Sequence, residues 1–163
     1  MDIIIYKQKG ELKMNKYVKF LVMILVSTIV MFGMMYLNVF SIDHIFFSQT
    51  RIYMALMMGA AMAIIMLLFM WKMYENKKAN IGILVVSALI FCLSLFLVRS
   101  QATIKDTDWM KAMIPHHSIA VLTSNRANLE DPEVKELAEE IIDAQEREIQ
   151  QMKEMIKRLE SEQ

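Results

Sequence analysis

Tyr17–Phe40 (YVKFLVMILVSTIVMFGMMYLNVF), Ile52–Trp71 (IYMALMMGAAMAIIMLLFMW) and Ile81–Val98 (IGILVVSALIFCLSLFLV) decide the fold of this 163-residue chain. Each is close to the ~20 residues a helix needs to cross the hydrocarbon core of a bilayer. None contains an acidic residue, and the one charge among them, Lys19, lies at an end where its ammonium can snorkel to the interface. A hydrophobic content of 56% is too high for an ordinary soluble domain, and no soluble part of matching size exists to bury three such helices. The expected architecture is all-α, with a three-helix transmembrane region over residues 17–98, so the bilayer is the first partner.

Basic residues set the expected orientation. Lys7, Lys9, Lys13, Lys16 and Lys19 cluster around the start of the first span, and Lys72, Lys77 and Lys78 lie between the second and third. Ser41–Arg51, between the first two spans, carries only Arg51. The positive-inside rule then places residues 1–16 and the second loop in the cytoplasm, and the first loop and everything after Val98 outside it. The chain is expected to be a multi-pass protein of the cell membrane. The first span lacks a small-residue cleavage pattern and reads as a retained anchor. Met14-Asn15-Lys16-Tyr17 makes a basic leader of its own, and Lys9-Gly10-Glu11 back-translates to a purine-rich ribosome-binding site. Translation is therefore expected to begin at Met14, which makes residues 1–13 a mis-assigned start.

The formal net charge of zero conceals two halves. Residues 1–98 carry nine Lys/Arg against four Asp/Glu, and residues 99–163 carry nine against fourteen. An acidic tail excludes nucleic acid as a partner, because a phosphate backbone demands a basic face. The single cysteine, Cys92, lies within an apolar run, which excludes an intramolecular disulfide and any Cys-based metal motif. Within the second span Ala55, Gly59 and Ala63 recur every four residues and let another helix approach closely. Met54, Met58, Met62, Met66 and Met70 form a ladder at the same spacing. A thioether column suits a soft cation, but adaptable apolar filling is the favoured explanation.

After a polar linker, 99–105, residues 106–163 predict a helical hairpin. Its first helix begins near Asp106–Asp108 and runs to about Ala127, with an irregularity at Pro115. The second takes Asp131 as N-cap and Pro132 as first helical residue and continues to about Leu159. The second helix's apolar stripe is Val134, Leu137, Ala138, Ile141, Ile142, Met152, Ile156 and Leu159, interrupted by Gln145 and Glu148. On the first helix the stripe is Met110, Met113, His117, Ala120, Val121 and Ser124, and Met113 shares a face with His116 and His117 at i+3 and i+4. In an antiparallel hairpin the two polar interruptions meet. Imidazole and thioether together favour copper, with Gln145 and Glu148 as supporting or alternative ligands. A hydrogen-bond network of His, Gln and Glu that fixes the register without metal is the competing explanation. His44, alone in the first loop, is expected to be a solvated polar residue.

Met113-Ile114-Pro115-His116-His117, then Ala120, Ala127, Leu137-Ala138-x-x-Ile141-Ile142 and Gln145-x-x-Glu148-Ile149-x-x-Met152, resemble the family catalogued as domain of unknown function 305. The likeness covers about residues 106–157. It implies a ferritin-like helical fold, often extracytoplasmic, with copper binding in some members. The family's ligand positions fall on Met110, Met113, His116, His117 and Met152. Thr123 stands where many members have another methionine, which removes one soft ligand. Longer members hold two hairpins where this chain supplies one, so a homodimer completing a four-helix bundle is expected.

Three functions follow in order of preference. The first is a membrane-anchored extracytoplasmic copper-binding protein of copper homeostasis, which sequesters the metal, senses it or hands it to an envelope metal-handling protein. The second is a metal-free module that binds another envelope protein through its acidic helix. The third, a metal-dependent oxidoreductase, is disfavoured because no separate acid, base or nucleophile set is present; the chain is not expected to be an enzyme. Ferritin-type di-iron chemistry needs Glu-x-x-His pairs, and the sequence has none. Serine and threonine are the only other polar groups deep in the spans, which makes an anchor and dimerisation unit of them rather than a transport path.

Overall fold

The computed structural model describes residues 15–162, and the basic segment before Asn15, with the expected start at Met14, lies outside them. Five helices follow one another: α1 Lys16–Met34, α2 Gln49–Phe69, α3 Lys77–Ser100, α4 Asp106–Arg126 and α5 Pro132–Ser161. Single 3-10 turns occupy Ile42–His44 and Trp71–Met73, and no strand occurs among the described residues. The first three helices are long and apolar enough to cross a membrane.

Local chemistry shifts their ends from the hydropathy boundaries. Ser48 Oγ accepts from the Arg51 amide and Asn76 Oδ1 from the Ala79 amide, so α2 and α3 each begin a polar turn before their apolar runs. α3 ends where Gln101 turns left-handed at φ 52°. α1 ends at Met34, six residues before the apolar run does. Beyond it the amides of Tyr36 and Leu37 bond back three residues, to Gly33 and Met34, and the helix unwinds into the first loop. Met35–Phe40, expected within the first span, thus belong to that loop.

α2 packs against both α1 and α3. The small-residue stripe is the contact surface: Ala55, Gly59, Ala60 and Ala63 are buried with Leu67. α3 answers with Asn80, Ser87 and Ser94, buried at intervals of seven. Asn80 is fully buried, its Nδ2 donating to the Tyr74 carbonyl at 2.9 Å and its Oδ1 accepting from Tyr17 Oη at 2.9 Å. The outward faces are apolar; Leu25, Ile29, Leu89 and Phe96 are each about 60% exposed. Such a surface is satisfied by lipid, consistent with membrane association.

α4 and α5 lie antiparallel, since Lys111 pairs with Glu160 and His117 with Glu148. Asp131 caps α5 as expected, its Oδ1 accepting from the Glu133 and Val134 amides. The core of the pair is Met110, Ile114, Val121, Ile149, Met152 and Ile156, with Phe46 of the first loop packed against it. That loop corrects both predicted stripes. α4 is covered on two sides, so its buried ridge runs through Met110, Ile114, Ser118 and Val121, while Met113, His117, Ala120 and Ser124 are half-buried. On α5 the buried positions are Ala138, Ile149, Met152 and Ile156, and Val134 and Leu137 are exposed.

A Cβ built on Gly59 would overlap the Thr28 hydroxyl of α1. Gly59→Ala is therefore expected to destabilise the chain by about 1–3 kcal/mol. Thermal unfolding in detergent measures this, and Thr28→Ala in the same chain should recover most of the loss.

Candidate metal centre

α4 carries Met110, Met113, His116 and His117 along little more than two turns, and helical geometry sorts them by direction. Met110 is 5% exposed and Met152 of α5 is 6% exposed, both within the core of the helix pair, and Met113 packs against that core from its edge. Residues 116 and 117 are separated by the ~100° that one helical step turns. Their rings stand 6.2 Å apart at 59° to each other. His117 faces α5 and brings Nδ1 within 3.0 Å of Glu148 Oε2. His116 instead lines, with Met113, a cavity bounded by α1 and α2. Among the described residues no three His, Cys, Asp or Glu side chains gather at one point, so any metal site here draws on thioethers.

The His117–Glu148 contact is at ion-pair distance but off the axis of a hydrogen bond, which leaves Nδ1 a buried polar atom without an aligned partner. Burial pushes the imidazole below its ordinary pKa, Glu148 pulls it up, and His116 adds to the lowering. The neutral ring, which is the form that ligates metals, is favoured at neutral pH. Glu148 stands where a carboxylate orients a ligating histidine through its other ring nitrogen. Gln145 is half-buried on α5 beside Ile141 and Ala144, and no hydrogen bond among the described residues joins it to either histidine. With Nδ1 of His117 turned to Glu148, its Nε2 is the nitrogen open to a ligand, and imidazole with thioether is a donor set that fits a soft or borderline metal.

His44 corrects the expectation of a solvated loop residue. Its side chain is 13% exposed, and Nδ1 is hydrogen-bonded to Ser118 Oγ at 2.9 Å. Ser118 is fully buried and also accepts from the Phe40 amide at 2.7 Å. Asp43 on the same turn pairs with Lys153 of α5. The first loop is thus clamped onto both helices one residue from His117. The sequence held one signal of this: Ser118 continues the i, i+4 ridge of Met110 and Ile114, and a buried hydroxyl demands a partner.

Residues 97–160 match the model of the family described as Domain of unknown function (DUF305). The matched stretch holds α4, the linker before it and nearly all of α5. The chain is also 37% identical over 87 residues to an uncharacterized protein of Acanthamoeba polyphaga mimivirus. That alignment covers 48% of this chain and 56% of the viral protein, so the chain spans little more than half the length of that relative. No solved structure matches the chain.

His44 is pushed below its ordinary pKa chiefly by burial and by Lys153, against the pull of Asp43 and Glu146. A lowered histidine contributes stability that is full above its unfolded value of 6.5 and is lost as pH falls through the folded value. Asp43, held at about 2 by hydrogen bonds from Lys153 and Ser41, stays ionised across that range. Ser118→Ala strands the Phe40 amide and His44 Nδ1, and is expected to cost about 1–3 kcal/mol at neutral pH. It should also lose less stability on acidification than the parent, as followed by melting temperature between about pH 7.5 and about pH 5.5.

Proposed function

We propose that the chain is a membrane-anchored, extracytoplasmic copper-binding protein whose site is the His/Met cluster of α4. The observation that carries this is the neutral-favoured His117 with a carboxylate 3.0 Å from Nδ1 and Met113 one turn before it. His117, His116 and Met113 would hold the metal, with Met110 and Met152 as thioethers at the core side and Glu148 as the orienting carboxylate. Copper bound there would be available for sequestration or for transfer to a metal-handling protein of the envelope. Residues 97–160 match the DUF305 model, and the resemblance to that family implies copper binding in some members and a ferritin-like helical arrangement as its setting.

The supporting experiment is anaerobic Cu(I) titration of the full chain in detergent against a competing chelator. Stoichiometric binding is expected in the parent and should be lost when His116 and His117 are both changed to Ala. Glu148→Gln should weaken it by about 10–100-fold. Equal affinity in all three chains would remove the histidines from the site.

The distribution of Lys residues supports a cytoplasmic N-terminus with α4 and α5 outside. α5 leaves Val134 and Leu137 about half exposed, which supports pairing of two copies into a four-helix bundle. In a Cys92→Ser background, Glu160→Cys is expected to react with a membrane-impermeant maleimide in intact cells, and light scattering should give two chains per particle. Labelling only after permeabilisation, or a monomer, would overturn the respective assignment.

A further inference from the structure

A cavity of roughly 430 Å³ separates the outer ends of α1 and α2 from α4. Thioethers dominate its wall: Met31 and Met34 from α1, Met35 just after it, Met54 and Met58 from α2, and Met113 from α4, beside the imidazole of His116. Three separate elements converge to build it. The clustering is not a general habit of the apolar helices, because α3, also long and apolar enough to cross a membrane, contains no methionine. The filling residues of α3 are Leu, Ile, Val and Phe, which shows that apolar packing in this chain does not require thioethers.

We propose that this cavity is a binding site for a monovalent soft cation, Cu(I) or Ag(I), shared between the apolar helices and α4. The proposal rests on the copper-binding function of α4 and extends its site through Met113 and His116 into α1 and α2. Thioether sulfur and imidazole are neutral ligands that favour a soft ion. No carboxylate lines the cavity, whereas the Arg51 guanidinium does. Arg51 is 8% exposed, donates to the Met35 carbonyl and lies 4.3 Å over the Tyr36 ring, so its charge is fixed in the wall. A fixed positive charge opposes every cation, a divalent ion more than a monovalent one, so binding there rests on the thioethers and the imidazole. Methionine has three rotatable side-chain bonds, so several sulfurs can close on one ion from walls set further apart. Met58 is also the second rung of the ladder that continues through Met62, Met66 and Met70, placing the cavity at its outer mouth.

The test uses the full chain in nanodiscs, labelled with methyl-¹³C methionine and titrated anaerobically with Ag(I), with resonances assigned by single Met→Leu substitutions. The methyl signals of Met31, Met34, Met54 and Met58 are expected to shift with bound Ag(I), and their response should persist in His117→Ala. Changing these four to Leu, a swap of nearly equal volume, should lower Ag(I) affinity at least about ten-fold in chelator competition. Shifts confined to Met110, Met113 and Met152, with unchanged affinity in the four-leucine variant, would overturn this inference and leave the α4 site standing. Absence of Ag(I) and Cu(I) binding by the parent would overturn both. Signals that respond to lipid composition but not to Ag(I) would make the cavity an acyl-chain site and overturn the inference alone.

Discussion

The Ser118 hydroxyl is the joint on which the two halves of this molecule depend. It sits fully buried in α4, accepts from the Phe40 amide and bonds His44, and so ties the loop between α1 and α2 to the helix pair. A buried hydroxyl between two polar partners is expensive to separate, because each group would lose its bond without regaining water. The exposed Asp43–Lys153 pair adds direction to this contact rather than much energy. With the loop fixed, Phe46 enters the core of the helix pair, and α4 lies over the ends of α1 and α2. The cavity lined by His116 and Met113 exists because of that placement.

One helical step then gives adjacent histidines different surroundings. His117 turns to α5 and its carboxylate, and His116 turns to the apolar helices. The motif therefore borders two environments in three dimensions, with the two rings 6.2 Å apart. Met113, one turn earlier, borders both, packing against the helix-pair core and lining the cavity. The chemistry available to α4 therefore depends on what α1 and α2 present to it as much as on its own residues.

Within the apolar helices, α3 gathers its buried polar residues in a seam. Asn80, Ser87 and Ser94 of α3 are buried at intervals of seven, and Tyr17 and Tyr74 bond the side-chain amide of Asn80. In a medium without water, buried polar groups at helix contacts must find partners in neighbouring helices. The seam leaves the other faces of the uncharged stretch Ile81–Val98 of α3 free to be largely aliphatic and aromatic.

The sequence by itself determined the five helices, their order, the cap at Asp131, the small-residue contact on α2 and the meeting of His117 with Glu148. These are consequences of hydropathy, capping chemistry and helical periodicity, which act over a few turns. Tertiary structure decided which face of α4 is buried, that His44 is docked rather than solvated, and that methionines far apart in the chain share one cavity. Each of these depends on a loop folding back across more than seventy residues, and periodicity within one helix carries no record of a second neighbour. The exposed start of α5 is a further case: Val134 and Leu137 follow the apolar rhythm, but periodicity within α5 carries no record of how far its neighbour extends.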